Sequence, residues 1–353
     1  MRTLIRPTGF VDSPFGHDGK VARLAGGLMW FSQCELIHAD GARELVPVGG
    51  IESRFDDAMM ADWERLIAQR PPLQLGERTI RLEQPHVMGI VNVTPDSFSD
   101  GGAYAGSNEA AFAGADMATA GAAILDVGGE STRPGAKAVW EGDEIERVLP
   151  VIQRLAAGGN AVSIDTRKAA VAEAALGAGA RLVNDVSAMT YDQRMAEVVA
   201  ASDAPIVLMH HQGDPQTMQD DPRYDDVLAD VFLWLEERIA AAEAAGISRE
   251  RILVDPGIGF GKTVAHNLAL LNGLALFHGL GCGVVVGSSR KRMIGALANE
   301  APADKRLAGS IALALKAAEQ GAQILRVHDV PETVQALKVW RGLRDQALTP
   351  RSS

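Results

Sequence analysis

The sequence is poor in cysteine, with only Cys34 and Cys282 among its 353 residues. Two cysteines cannot build a disulfide framework, which fits a reducing cytosol. No apolar run reaches the length of about 20 residues that a membrane-spanning helix needs. The opening residues, MRTLIRPTGFVDSPFG, lack the apolar segment of a secretory signal. We therefore expect a soluble cytoplasmic protein.

Basic residues are outnumbered as well. The chain has 34 lysines and arginines against 45 aspartates and glutamates, a formal net charge of -11 at pH 7. This balance argues against general binding to nucleic acid or to anionic membranes, but it is compatible with a local basic pocket for a small anion. We therefore expect small-molecule substrates, with no nucleic-acid and no membrane partner.

What the chain does contain is a repeated unit: a short apolar strand, a polar loop with glycine, and an alanine-rich amphipathic stretch. Strands are expected near 86–93, 122–127, 161–165, 181–184, 205–209, 251–255, 283–287 and 323–327. Strands that alternate with helices pair in parallel, and eight of them match an α/β fold of the (β/α)8 TIM barrel type. An open doubly wound sheet is the alternative, but no Gly-x-Gly-x-x-Gly follows the first strand.

The barrel does not account for the whole chain. We expect residues 1–80 to form a small appended unit of unknown role, 85–342 the barrel, and 343–353 a C-terminal tail. In the appended unit, LMWFSQCELIHADG is typical of a strand entering a turn. DDAMMADWERLIAQR predicts a helix with Met59, Trp63 and Leu66 on one face. The proline pair that starts at Pro71 is expected to end this helix.

Every predicted barrel strand ends in polar side chains. In chain order they are Asn92; Asp126, Glu130, Ser131, Thr132 and Arg133; Asp165; Asn184 and Asp185; His210, His211 and Gln212; Asp255 and Lys262; Ser289, Arg290, Lys291 and Arg292; and Arg326, His328 and Asp329. One such residue alone would indicate a helix cap or a solvated turn. Eight sets together predict a ligand site, because the catalytic groups of TIM barrels lie at this end of the strands.

The residue types indicate the class of ligand. A buried carboxylate is costly unless it meets donors. Asp165 and Asp255 therefore suit the edge of an amino-pyrimidinone ring, which offers two adjacent N–H groups. Asn184 can both donate and accept beside them.

A second group of side chains favours an anion. Arg133, Arg326 and His328 would form a cationic rim suited to a diphosphate. Asn92 offers a neutral oxygen that can help to hold Mg²⁺ on that diphosphate. The pattern thus predicts a deep heterocycle pocket below a shallow anion rim.

Two other motifs suggest functions that their spacing does not support. GIGFGKT, from Gly257, leaves three residues before the Gly-Lys pair, whereas a phosphate-binding P-loop needs four. His210 and His211 are neighbours on a strand, so they point to opposite faces and are poor joint metal ligands. We expect at least one of them to be packed or hydrogen-bonded.

The motifs NVTPDSFSDGG, GGESTRPGA, DPGIGFGK, SRK and RVHD together make the chain from about His86 to about Val339 resemble the dihydropteroate synthases of the bacterial folate pathway. This resemblance implies a (β/α)8 barrel, usually a homodimer. It also implies a Mg²⁺-dependent reaction that joins 6-hydroxymethyl-7,8-dihydropterin diphosphate to p-aminobenzoate and releases diphosphate. Sulfonamides inhibit this family.

The resemblance also assigns site residues. Pterin binding falls to Asp165, Asn184, Asp255 and Lys291, of which Asp165 and Lys291 are the candidate catalytic residues. Diphosphate binding falls to Asn92, Thr132, Arg133, Arg326 and His328, with Asn92 as the Mg²⁺ ligand. Binding of p-aminobenzoate falls to Thr132, Pro134, Phe260 and Arg292. The chain departs from the common family pattern at Arg292, where many members have serine, and at His211, where methionine is common.

The implied reaction fits the absence of a Ser/His/Asp triad, because a neutral aromatic amine needs no strong base to attack. Positioning and electrostatics would carry the catalysis, and the loop from Thr94 to Gly102 is expected to cover the reactive pterin. Two alternatives stay open. The extra 80 residues and Arg292 favour a non-catalytic pterin-binding paralogue, and a shared barrel allows a folate-dependent methyltransferase, although that enzyme needs no cationic rim.

Overall fold

The chain begins with a small antiparallel sheet, a helix and a hairpin that precede the barrel. The computed structural model describes residues 2–93, 102–131, 139–213, 218 and 220–349. The first elements are β1 (Leu4–Val11), β2 (Ala22–Arg23), β3 (Trp30–Ile37), β4 (Arg43–Pro47), α1 (Asp57–Ile67), β5 (Leu73–Leu75) and β6 (Arg78–Ile80). Strand β3 pairs with β1, β2 and β4, and β5 pairs with β6. Strand β3 confirms the strand predicted from LMWFSQCELIHADG.

Eight parallel strands then close into a barrel. They are β7 (His86–Asn92), β8 (Ile124–Gly128), β9 (Val162–Asp165), β10 (Leu182–Asp185), β11 (Ile206–Met209), β12 (Ile252–Asp255), β13 (Gly283–Val286) and β14 (Ile324–Val327). The helices around them are α2 (Gly102–Ala120), α3 (Glu141–Ala157), α4 (Ala169–Ala178), α5 (Arg194–Ala200), α6 (Val227–Ala244), α7 (Val264–Asn272), α8 (Arg292–Leu297), α9 (Leu307–Glu319) and α10 (Val330–Leu348). The last strand, β14, pairs with β7. This closure confirms the predicted TIM barrel and excludes the open sheet.

The register of the barrel aligns the polar strand ends. Asn92 of β7 pairs with Gly128 of β8, Gly128 pairs with Asp165 of β9, and Asp165 pairs with Asn184 of β10. Four neighbouring strands therefore present these positions at the same height. Since all the strands run the same way, this height is the C-terminal end of the barrel, where α/β barrels carry their sites.

The opposite end of the barrel is closed by the hairpin of β5 and β6. Leu73, Leu75 and Ile80 of the hairpin are buried in one apolar cluster with residues near the starts of the barrel strands. The barrel members of that cluster are Met88, Ile124, Ala161, Leu182, Val207, Leu253, Val285 and Ile324. The hairpin thus completes the core at the end of the barrel that lies away from the polar residues.

Helix α1 is the predicted N-terminal helix, and Met59, Trp63 and Leu66 are buried as expected. Its predicted end at Pro71 is wrong, because the helix stops at Ile67 and Ala68 is already extended. The physical reason is Arg70. Its guanidinium donates to the carbonyls of Arg65 (2.8 Å) and Ala68 (2.9 Å), which occupies acceptors at the end of the helix.

Arg70 also ties the N-terminal region to the barrel. It is 5% exposed, and it donates to Cys282 O (3.0 Å) and His278 O (2.7 Å). Burial lowers its pKa to about 10, so that the side chain is still charged at neutral pH. A single buried cation therefore satisfies carbonyls on both sides of this contact.

Replacing Arg70 with methionine should lower the free energy of unfolding by about 3 kcal/mol, since buried carbonyls that lose their donor each cost about 1–3 kcal/mol. Chemical denaturation checks this value. Arg194→Met is the matched control, because Arg194 forms an exposed ion pair with Glu173 and should cost less than about 0.5 kcal/mol. Equal losses in the two variants would contradict the anchoring role of Arg70.

Helix α10 continues past residue 343, where the predicted tail begins, and ends at Leu348. Arg344 lies in this last part of the helix and donates to Leu28 O at 2.9 Å. Its guanidinium also lies 3.2 Å from the carboxylate of Asp12. The first residues of the predicted tail are therefore helical and fastened to the N-terminal region. Among all residues placed by the structure, no helix is both long and apolar enough to span a bilayer.

Candidate active site

Asp126, Asp165, Asn184 and Arg326 form a hydrogen-bonded cluster at the C-terminal end of the barrel. Arg326 donates through Nε to Asp126 Oδ2 (2.6 Å) and through Nη2 to Asp165 Oδ2 (2.6 Å). Asn184 Nδ2 donates to the same oxygen of Asp126 at 3.0 Å. One guanidinium thus bridges two buried carboxylates, and the amide of Asn184 is fixed beside them.

The remaining oxygen of each aspartate is available to a ligand. Oδ1 of Asp126 and Oδ1 of Asp165 are buried and have no hydrogen-bond partner among the described residues. A buried acceptor without a donor costs about 1–3 kcal/mol, and burial raises the pKa of Asp165 to about 7 against the opposing effect of Arg326. Two such acceptors fit a ring that offers several N–H donors.

Asp126 belongs to this cluster, although its position at a strand end did not predict a specific role. It is completely buried and receives hydrogen bonds from both Asn184 and Arg326. The alternation of side chains along β8 places it on the same face as Ile124 and Gly128. That alternation was a usable signal, because an aspartate within the otherwise apolar strand ILDVG must face a donor.

Asp255 and Lys291 form the other side of the pocket. Asp255 is 6% exposed and accepts a hydrogen bond from Gly257 N at 2.7 Å. Burial raises the pKa of Asp255 and lowers that of Lys291 to about 7. The attraction between the two opposite charges acts against both shifts. Lys291 Nζ donates to Ile258 O and lies 4.0 Å from the centre of the Phe260 ring. Asp255, Arg326 and Asp165 all lie close enough to Lys291 to affect its pKa, so that the predicted pterin residues lie together at this end of the barrel, with the Phe260 ring beside Lys291.

The predicted anion rim is described only in part, because Thr132 and Arg133 lie outside the described residues. His328 Nδ1 lies 3.0 Å from Ser289 Oγ, in the loops that follow β14 and β13. Arg326 does not stand free on the rim, because its guanidinium is engaged by the two aspartates. Arg292 is exposed in the first turn of α8, directly after Lys291. Its predicted contact with p-aminobenzoate stays a prediction.

Several predicted residues lie outside the described part of the chain. These are Thr132, Arg133 and Pro134, and the same holds for most of the predicted cover from Thr94 to Gly102. Asn92 is described and half-buried at the end of β7. Within the described ranges, no group of three His, Cys, Asp or Glu residues could hold a metal ion.

His210 is packed, which confirms the prediction that at least one of the two histidines would be packed or hydrogen-bonded. His210 is 4% exposed, its Nδ1 lies 2.8 Å from Lys262 Nζ, and its ring meets Trp234 edge-on at 4.9 Å. His211 Nδ1 lies 3.2 Å from Gly213 O. Burial lowers the pKa of both His210 and Lys262. The amino group of Lys262 therefore contacts His210 in the protein interior, whereas the lysine of a P-loop contacts a bound phosphate.

A second buried polar cluster, which the sequence analysis missed, holds both ends of the GGESTRPGA loop. Lys168 Nζ donates to Glu130 Oε2 (2.9 Å), Glu144 Oε2 (2.5 Å) and Val139 O (2.8 Å). Glu130 Oε1 accepts from Val139 N at 3.2 Å. Lys168 follows the SIDTR run of the third barrel strand, but no local pattern indicates its contact with a helix that begins 27 residues earlier, at Glu141.

Comparisons with known proteins agree with this geometry. The sequence model of the family described as pterin binding enzyme matches residues 88–328. Dihydropteroate synthase of Escherichia coli (strain K12) is 48% identical over 262 residues, which cover 74% of this chain and 92% of that protein.

Solved structures give the same result. Xanthomonas albilineans dihydropteroate synthase with 4-aminobenzoic acid has a TM-score of 0.74 and 48% identity, and the match covers 80% of this chain and 100% of that one. The enzyme of the same organism in complex with 7,8-dihydropteroate has a TM-score of 0.71 and 46% identity, covering 79% and 100%. The chain therefore belongs to the pterin binding enzyme family, among its dihydropteroate synthases.

Proposed function

We propose that the chain condenses 6-hydroxymethyl-7,8-dihydropterin diphosphate with p-aminobenzoate to give 7,8-dihydropteroate and diphosphate. The observation that carries this function is the cluster of Asp126, Asp165, Asn184 and Arg326. It presents two buried carboxylate oxygens that have no hydrogen-bond partner among the described residues, with a fixed amide beside them. This set of acceptors matches the N–H-rich edge of a pterin ring.

The reaction breaks the bond between the pterin methylene and the diphosphate oxygen, and the electron pair leaves with the diphosphate. The methylene carbon then carries positive charge that the ring delocalises, and the amine nitrogen of p-aminobenzoate attacks it. The nitrogen is then positively charged and acidic, and it releases one proton to solvent. Asp126 and Asp165 would accept hydrogen bonds from the ring, and Lys291 would donate one to it. This division of roles needs no strong base, so most of the rate enhancement would come from orientation and electrostatics.

We propose Mg²⁺ as a metal that would be held mainly by the substrate. Mg²⁺ commonly binds through one or two protein oxygens together with substrate phosphates, and Asn92 lies at the rim with a side-chain oxygen to offer. The ion would neutralise charge on the leaving diphosphate. Thr132, Arg133 and His328 remain the proposed protein contacts of the diphosphate, and Arg292 and Pro134 remain proposed contacts of p-aminobenzoate.

The protein is also proposed to act as a cytoplasmic homodimer. Helix α10 supports the dimer, because it exposes Val339 (63%) and Leu343 (68%) one turn apart, and neighbouring exposed apolar side chains are typical of interaction surfaces. The methyltransferase alternative is weaker, because the matched relatives are dihydropteroate synthases.

Purified protein with Mg²⁺ and both substrates should form dihydropteroate and release one diphosphate per turnover, and it should elute as a dimer. Product is measured by chromatography and diphosphate by a coupled assay. Asp255→Ala is the matched inactive variant, because it removes a buried pterin acceptor and should abolish pterin binding. Pterin binding without turnover in the wild type would favour the non-catalytic paralogue instead, and turnover that survives removal of Mg²⁺ would contradict the role given to Asn92.

A further inference from the structure

The loop that follows β12, residues 257–262, packs tightly against the end of β11. Gly257 and Gly261 both have left-handed φ angles, +68° and +61°. A Cβ at Gly257 would come within 1.8 Å of His210 O, and one at Gly261 within 2.4 Å of Gln212 O. Only glycine tolerates both the angle and the approach, so that this loop is held at one fixed distance from its neighbour.

Two lysines bind alternate carbonyls of this loop. Lys291 Nζ donates to Ile258 O, and Lys262 Nζ donates to Phe260 O at 3.0 Å. Lys262 is 3% exposed, and its Nζ also contacts His210 Nδ1 (2.8 Å) and His210 O (3.4 Å). Lys262 therefore connects the backbone of Phe260 to the strand end that carries His210.

Phe260 is the point where the two lysines meet. Its backbone carbonyl is bound by Lys262, and its ring lies under Lys291 Nζ at 4.0 Å, within the range of a cation–π contact. A shift of the Phe260 backbone would move the ring away from Lys291. Lys262 Nζ points to His210, and its charge also acts on Asp255 and Lys291. Its effect on the position of the Phe260 ring passes through the Phe260 carbonyl.

We propose that Lys262 is a positioning residue for this reaction, which fixes the Phe260 ring between Lys291 and the p-aminobenzoate site by binding the Phe260 carbonyl and His210. The inference rests on the proposed function for its kinetic effect, but its structural effect is independent of turnover.

The kinetic test is a double-mutant cycle of Lys262→Met and Phe260→Leu. Lys262→Met keeps the length of the side chain and removes all the contacts of Nζ. It should raise the KM for p-aminobenzoate about tenfold, because a misplacement of about 1 Å is costly in a preorganised site, with a much smaller change in kcat. In the Phe260→Leu background the same substitution should change this KM less than twofold. Additive effects would overturn the proposal.

A matched control separates positioning from general loosening of the loop. Tyr224→Phe removes the hydrogen bond from Tyr224 Oη to Gly261 O (2.8 Å) in the same loop and leaves the Phe260 carbonyl bound. It should change the KM for p-aminobenzoate less than twofold. An effect as large as that of Lys262→Met would overturn the proposal.

A crystal structure of Lys262→Met provides the readout that does not depend on activity. The distance from Lys291 Nζ to the Phe260 ring should increase beyond about 6 Å, the limit of a cation–π contact. A ring that stays in place would overturn the proposal even if the wild type were inactive, whereas an inactive wild type with a displaced ring would contradict only the proposed function. Lys262→Gln serves if the methionine variant does not fold, and failure of both to fold would overturn the proposal in favour of a purely structural role.

Discussion

Replacing Arg326 with methionine should lower kcat/KM for the pterin diphosphate at least about 100-fold and should also weaken the binding of a pterin without diphosphate. Arg326 neutralises both Asp126 and Asp165, which are 0% and 8% exposed. Removing one partner of a buried charge pair costs about 3–5 kcal/mol, because the other charge is left uncompensated. The carboxyl group of Asp165, whose pKa burial already raises, would take up a proton instead and become a weaker acceptor for the N–H groups of the ring.

This prediction differs from the one that the sequence supports. As a member of a cationic rim, Arg326 should act mainly on the diphosphate, and its loss should spare the affinity for the bare ring. Calorimetric titration with a diphosphate-free pterin separates the two cases. His328→Gln is the matched control, since His328 contacts Ser289 Oγ, and this variant should keep that affinity within about twofold. Unchanged affinity in Arg326→Met would restore the rim assignment.

The predictable part of the fold and site is the part encoded locally. Each barrel strand was identified from its own apolar run, and the position of Asp165, Asn184 and Asp255 at strand ends follows from the direction of the chain. Closure of the barrel then brings these ends together without further information. The end of α1 was misplaced because the helix carbonyls there accept hydrogen bonds from Arg70, which also donates to carbonyls of the barrel region.

The contacts that could not be predicted are those between distant segments. Arg326 lies 200 residues from Asp126 and 161 residues from Asp165 in the sequence. Whether Arg326 contacts a ligand or these carboxylates depends on the register at which β14 pairs with β7 and on the width of the barrel. The same applies to Lys262, whose P-loop-like motif says nothing about His210, 52 residues away.

The pH dependence of kcat/KM for the pterin substrate should be bell-shaped, with its maximum near pH 7. Asp165 must be ionised to accept from the ring, and its raised pKa of about 7 removes that form as the pH falls. Lys291 must be protonated to donate, and its lowered pKa of about 7 removes that form as the pH rises. With both pKa values near 7, only about a quarter of the enzyme has both groups in the required form at the maximum, so that the rate at pH 5 or 9 is about 25-fold lower than at pH 7.

Lys291→Arg is the variant that tests the assignment of the alkaline limb, because a guanidinium stays protonated throughout this range. It should flatten the fall above pH 7 and leave the acid limb in place. An alkaline limb that persists in Lys291→Arg would have to arise from another group. Initial rates at low concentrations of the pterin substrate, measured across the range with saturating p-aminobenzoate, provide the profile.

Asp165 and Lys291 should also make the free energy of unfolding of the ligand-free protein depend on pH, with a minimum where the rate has its maximum. Asp165 has a raised pKa, so its contribution is full below the unfolded value of about 4 and is lost as the pH rises to about 7. Lys291 has a lowered pKa, so its contribution is full above about 10 and is lost as the pH falls to about 7. Their combined contribution to the free energy of unfolding is therefore lowest near pH 7, where binding is best. Thermal unfolding across the pH range should show the largest stabilisation by bound pterin at that pH, because the ring then adds hydrogen bonds to the ionised forms of both groups.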